Sequence, residues 1–412
     1  MVNFDRFKLS NGLTVLFNED KTTPLVAINI LYNVGSRDEN PEKTGFAHLF
    51  EHLMFGGSKN IPSFDEPLQM VGGENNAFTS NDITNYYITL PTDNIETGLW
   101  LESDRMNELD FSEQSLKVQQ NVVVEEYRQR YINQPYGDVW LLLRPLAYKV
   151  HPYRWPTIGE RIDHITDATI DDVKSFFYQH YAPNNAILSL SGNINSKEAL
   201  ALIEKWFGNI ESRNVAPRNL PVEPQQTERR ELTVTGKVLY DAVYKSWHMP
   251  QRLDKGYYVC DVITDLLSSG KSARLYQILV KEKKLFSEIN AYVTGDADPG
   301  LLIIGGKTMK GVDVKDADMA IQEVIADLSN TSVSERELKK VQNKYATNLM
   351  LGHTNALNKA MGLGYYEVLG NADLLNMEME NFNAITPEDI SLTSRKLLCE
   401  TNCSTLFYLA EK

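Results

Sequence analysis

The chain has 412 residues, 42% of them hydrophobic and 23% charged, with a formal net charge of −14. That length exceeds what one ordinary core organises, so two domains of about 200 residues are expected. The acidic balance excludes a nucleic-acid binder, which needs a basic footprint, and no apolar run approaches the ~20 residues that cross a bilayer.

The amino terminus, MVNFDRFKLSNGLTVLF, alternates in hydropathy around an Asn11-Gly12 hairpin signal. It has no basic-then-apolar leader, which predicts a cytoplasmic protein, or a periplasmic one if a leader precedes this sequence. PLVAINILYNVGS is expected to form a buried strand, and TGFAHLFEHLMFGG a short helix closed by Gly56-Gly57. NAFTSNDITNYYITLP alternates and is rich in Thr, Tyr and Ile, which predicts a strand. Helices are predicted over residues 93–109 and 112–134, the second ending before Pro135.

Residues 213–230 are polar, Pro-containing and without periodicity. They are expected to join two halves, with a domain at 1–215, a linker at 216–224 and a second domain at 225–412. The halves end alike: TIDDVKSFFYQHYAPNNAILSLSGN and TPEDISLTSRKLLCETNCSTLFYLA each run from an acidic helix start through an Asn-containing turn to a strand. An offset of 217 residues places Asp172 over Asp389 and Asn185 over Asn402, which suggests a duplicated domain mixing helices with a sheet. Cys260, Cys399 and Cys403 form no metal-type cluster and are read as structural thiols, not a disulfide framework.

The chemistry is concentrated in FAHLFEHLMF, where His48, Glu51 and His52 spell His-x-x-Glu-His. Residues four apart on a helix share a face, so both imidazoles can meet one cation while Glu51 reaches a water beside it. With 7 histidines in the chain, chance would produce this pattern with a probability of roughly one in a hundred. Zinc suits imidazole and carboxylate donors and acidifies bound water. The set lacks a third ligand, for which Glu125 and Glu126 in SEQSLKVQQNVVVEEYRQRY are candidates. Adjacent helical residues diverge by about 100°, so only one of the two can face the metal. His151, His164 and His180 are isolated from the helix-borne pair, as are His248 and His353 in the second half, which has no such motif.

The segments NVGSRDENPEKTGFAHLFEHLMFGGS, GGENNAFTSNDITNYYITLP, NVVVEEYRQR, HPYRWPTIG and SARLYQILVKEKKL span both halves. In them the chain resembles the inverted-motif zinc peptidases of the pitrilysin, insulin-degrading enzyme and mitochondrial processing peptidase group, peptidase family M16, and within it the short bacterial branch. The resemblance implies an α+β fold of two homologous domains, each a mainly antiparallel sheet packed with helices, of the LuxS/MPP-like metallohydrolase type. It implies one zinc per chain, held by His48, His52 and, 74 residues after His52, Glu126. Glu51 would be the general base, and Asn76, Ala77 and Phe78 would lie on an edge strand that a peptide extends. Tyr153 and Arg154 match the family without an assignable role.

Two positions depart from the pattern. Gln119 stands where the family usually has a glutamate beside the metal site, so the zinc would feel one negative charge fewer. Val280 and Ser287 stand where self-sufficient members carry an Arg and a Tyr that hold the substrate, unless Arg274 or Tyr292 serves in a shifted position. Related enzymes divide the labour between a zinc-bearing subunit and a homologous partner that supplies those groups. The expectation is therefore a zinc-dependent endopeptidase acting on unfolded peptides, the catalytic subunit of a heterodimer whose four homologous domains enclose a chamber. The competing assemblies are a homodimer or a monomer of reduced activity. The competing functions are a non-catalytic assembly subunit and a zinc hydrolase of a non-peptide substrate.

Overall fold

The alternating and β-branched segments of the first half pair into a six-stranded sheet in the computed structural model, which describes residues 1–411. Its strands are β1 (Asp5–Lys8), β2 (Thr14–Glu19), β3 (Leu25–Tyr32), β4 (Glu74–Thr79), β5 (Thr84–Pro91) and β6 (Ala186–Gly192). They lie in the order β1-β2-β6-β3-β5-β4, with every pair antiparallel except β2 with β6. β3 is buried on both faces from Val26 on, which is why PLVAINILY is almost continuously apolar.

The single strand expected over NAFTSNDITNYYITLP is a hairpin, β4 turning into β5. Ser80 N–H donates to the Ile83 carbonyl at 2.9 Å, and the Ser80 hydroxyl accepts from the N–H groups of Asp82 and Ile83, both at 3.1 Å. A side chain that satisfies its own turn interrupts the ladder, although hydropathy alternation runs on through it. The correction matters because it makes β4 a sheet edge.

The second sheet comprises β7 (Arg230–Gly236), β8 (Ala242–His248), β9 (Phe286–Val293), β10 (Leu301–Thr308) and β11 (Cys403–Ala410), in the order β7-β11-β8-β10-β9. Apart from β1, the two sheets share one connectivity, with β7 parallel to β11 as β2 is to β6. Side chains repeat the correspondence. Asn185 donates to the His180 carbonyl at 2.8 Å and Asn402 to that of Leu397 at 2.9 Å. Gln120 and Gln342 each donate to the three carbonyls that cap a neighbouring turn, 165/166/168 and 382/383/385.

The described residues pack into two compact units, each drawn from both sequence halves. One unit comprises Met1–Arg128, Trp155–Leu220 and Met350–Met377; the other comprises Gln129–Arg154, Pro221–Leu349 and the residues from Glu378 on. In the first, the helix Ala356–Val368 covers β2, β3 and β6. Gly364 permits the approach, since a Cβ there would stand 2.9 Å from Ser189 Oγ, and Ser189 itself donates to the Ala360 carbonyl at 2.7 Å. In the second, Val139–Ala147 lies against β7, β8 and β11. Periodicity tells that each of these helices has an apolar face, but not which sheet that face covers.

Lys359, on the helix Ala356–Val368, pairs with Asp20, both largely buried, and this holds the Asp20 carboxyl at about 2. A folded pKa below the unfolded one stabilises above the ordinary carboxylate range, and that stability is lost as pH falls toward 2. Asp20→Asn is expected to cost about 1–2 kcal/mol at pH 7 and roughly half of that at pH 3, where the folded-state carboxyl is still mostly ionised. Urea unfolding midpoints at the two pH values check this; an equal cost at both would refute it.

Candidate metal centre

Phe46, Ala47, Leu49, Phe50 and Leu53 are buried along the helix Phe46–Leu53, leaving His48, Glu51 and His52 on its partly open face. The helix starts abruptly. Gly45 has φ +89, and a Cβ there would stand 2.7 Å from the Ile158 carbonyl oxygen, so only glycine fits. Glu39 supplies the missing cap: its carboxylate accepts from the N–H groups of Gly45 and Ala47, each at 2.8 Å, at the positive end of the helix dipole. Burial still pushes the Glu39 pKa well above the usual range, the two hydrogen bonds offsetting only part of it. From beneath, Tyr86 donates to the Phe50 carbonyl at 3.4 Å, and the Phe50 ring stacks on Tyr181.

The second helix of the site, Glu113–Tyr127, begins where the Ser112 hydroxyl accepts from Ser115 N–H. The helix expected over 112–134 continues past Tyr127 as a π-helical turn, Arg128–Ile132. The Gln120 contacts and a 3.1 Å bond from the Tyr127 hydroxyl to the Glu160 carbonyl fix its rotation. Glu126 is thereby aimed at the motif helix. Glu125 points away toward Arg128, 3.8 Å distant, with its side chain 54% exposed.

Oε2 of Glu126 lies 3.6 Å from His48 Nε2 and 3.4 Å from His52 Nε2, and one atom from each of the three residues falls within 4.8 Å of the others. The imidazoles meet edge to face, ring centres 4.9 Å apart. Donors about 2.0–2.1 Å from a tetrahedral zinc would be separated by about 3.3–3.4 Å, close to both separations of Glu126 from the imidazoles, so the donor set fits that ion. Among the described residues no other group of His, Cys, Asp and Glu side chains comes together in this way. His164 instead bonds Thr44 at 2.8 Å, His151 pairs with Asp298 and His248 bonds the Ala147 carbonyl.

Glu51 accepts a 2.6 Å hydrogen bond from the Thr79 hydroxyl, which brings the end of β4 to the motif. Asn76, Ala77 and Phe78 lie on that edge strand. Phe78 is 40% exposed, and the Asn76 carboxamide accepts from Ala77 N–H at 2.8 Å. Gln119 is half-buried two turns before Glu126, beside Gly56. Glu39 and Thr79 join the site although no spacing rule announces them, because each is local to it only after folding.

The second half offers no counterpart. Lys43 pairs with Asp172 as Lys255 pairs with Asp389, and counting from those lysines puts Cys260, Ile263 and Thr264 where His48, Glu51 and His52 stand. Val280 packs on the core there, and the Ser287 hydroxyl bonds the Lys307 carbonyl. Arg274 is engaged by Glu337 and Asp327, and Tyr292 meets Trp140 edge to face, its hydroxyl pushed up to about 12 by burial. Tyr153 is fully buried and accepts from Asp298 N–H at 3.1 Å, a structural use of HPYRWPTIG. The three backbone N–H groups of Lys149, Val150 and His151 in turn grip the Glu223 carboxylate.

The chain is similar to known proteins. Residues 14–158 match the Insulinase (Peptidase family M16) family and residues 167–345 the Peptidase M16 inactive domain. The chain is 29% identical to the zinc protease PqqE of Helicobacter pylori over 97% of its own length and 91% of that protein. It is 27% identical to the zinc protease YmxG of Bacillus subtilis over 96% of each. A crystal structure of a protease from Helicobacter pylori superposes with a TM-score of 0.93 at 27% identity, covering 99% of this chain and 100% of that one.

Proposed function

Because this chain belongs to peptidase family M16, the insulinase family of zinc proteases, we propose that it is an endopeptidase of extended peptides that works at His48, Glu51, His52 and Glu126. The observation that carries this reading is the three-donor cluster with the Glu51 carboxylate at the end of an exposed edge strand. A peptide adding to β4 beside Asn76, Ala77 and Phe78 would be held by backbone hydrogen bonds, which tolerate many side chains. A single zinc ion held by His48, His52 and Glu126 would supply a Lewis acid that polarises the carbonyl and acidifies water. Glu51 takes the proton from the water as its oxygen attacks the carbonyl carbon, then delivers it to the departing amine nitrogen as the C–N bond breaks. Gln119 leaves this pocket one negative charge short of the family pattern and keeps a hydrogen-bonding amide there.

No cationic fork or phenol occupies the positions of Val280 and Ser287, and Arg274 is already engaged. This supports a homologous partner subunit, without its own zinc, that contributes an Arg and a Tyr to the substrate. The intact motif argues against a purely structural subunit. Among the described residues no helix is long and apolar enough to cross a membrane, and the free thiols of Cys260, Cys399 and Cys403 fit a reducing compartment such as the cytoplasm better than the periplasm.

The test is hydrolysis of a quenched fluorescent peptide library by the zinc-loaded chain, alone and mixed with a motif-less homologue. Activity that rises at least about tenfold on mixing is expected, since positioned substrate-binding groups contribute at least that much. Full activity from the chain alone would remove the partner from the proposal, and silence in every mixture despite bound zinc would favour a non-peptide substrate.

A further inference from the structure

Thr79 is the last residue of β4, paired with Thr84 across the Ser80–Ile83 turn, and its hydroxyl lies 2.6 Å from Oε2 of Glu51. Two features make this contact more than a surface hydrogen bond. First, the donor is short and fixed to a sheet, whereas the acceptor is a long side chain that loses rotamer freedom when held in place. Second, the hydroxyl is neutral, so it restrains the carboxylate without bringing a charge of its own beside it.

We propose that Thr79 is a positioning residue for Glu51, so that the strand receiving the peptide is also the strand that aims the base. The inference rests on the reading of Glu51 as the base and of β4 as the substrate edge. A peptide that pairs with β4 stiffens the same backbone that carries the Thr79 hydroxyl, and base alignment becomes best when substrate is bound. The contribution of Thr79 therefore falls on kcat and not on KM.

The experiment compares Thr79→Val, which keeps the shape and removes the hydroxyl, with Thr79→Ser, which keeps the hydroxyl. A base displaced by about 1 Å costs on the order of 100-fold, so Thr79→Val is expected to lower kcat by about 10- to 100-fold with KM changed less than about twofold, and Thr79→Ser to recover most of the loss. Zinc content, and the anisotropy of a labelled peptide binding to the zinc-free chain, should match the parent protein for both variants. Crystal structures should show the Glu51 carboxylate in its parent position in Thr79→Ser and rotated away in Thr79→Val. An unmoved Glu51 carboxylate in Thr79→Val, or losses in KM and peptide affinity equal to the loss in kcat, would overturn the proposal. If the parent protein cleaves no peptide yet Glu51 rotates only in Thr79→Val, the positioning role stands and the peptidase reading falls.

Discussion

Glu51→Gln is expected to lower kcat/KM for peptide hydrolysis by about 10²–10⁴-fold, the range that a positioned general base contributes, while zinc stays bound. The substitution is nearly isosteric, and the carboxamide oxygen can still accept the Thr79 hydrogen bond that holds Glu51. It leaves His48, His52 and Glu126 in place. What it removes is the ability to take a proton from water near neutral pH. Metal content by atomic emission, measured beside kcat/KM, separates the outcomes. Near-parental activity would strip Glu51 of its role as base, whereas activity lost together with the zinc would mark the residue as part of the metal site.

The second large effect distinguishes two neighbouring carboxylates. Glu126→Ala should weaken zinc binding by more than about 100-fold, since even the outer partners of metal ligands are worth 10–100-fold, and hydrolysis should fall with it. Glu125→Ala should alter neither, because that side chain is 54% exposed and directed toward Arg128. Titration with a chromogenic zinc competitor reads both variants without any substrate. Equal losses in the two would mean that the helix Glu113–Tyr127 can turn to present either carboxylate, against the rotation set by Gln120 and Tyr127.

The contrast between these two glutamates shows where the sequence stops. His48, Glu51 and His52 are legible because spacing on one helix is a local property, readable without knowing what the helix touches. The strands are legible for the same reason, as are the repeated acidic helix starts, which the structure closes with capping boxes at Thr169 and Thr386. The break between β4 and β5 was less so, since hydropathy alternation runs through it and only the Ser80 hydrogen bonds reveal the turn.

By itself, then, the sequence determined that His48, Glu51 and His52 share one face of a helix and that the two halves end in the same helix–turn–strand pattern, both of which follow from short-range periodicity. Helix spacing left Glu125 and Glu126 open and the resemblance implied Glu126; the tertiary structure aims Glu126 at the histidines, and it alone decided that Thr79 meets Glu51, that Glu39 caps the motif helix, and that Ala356–Val368 covers β2, β3 and β6. Each of those depends on how an element is rotated about its axis or on which surface it packs against. Contacts between residues distant in the chain set both, and no pattern within the element records them.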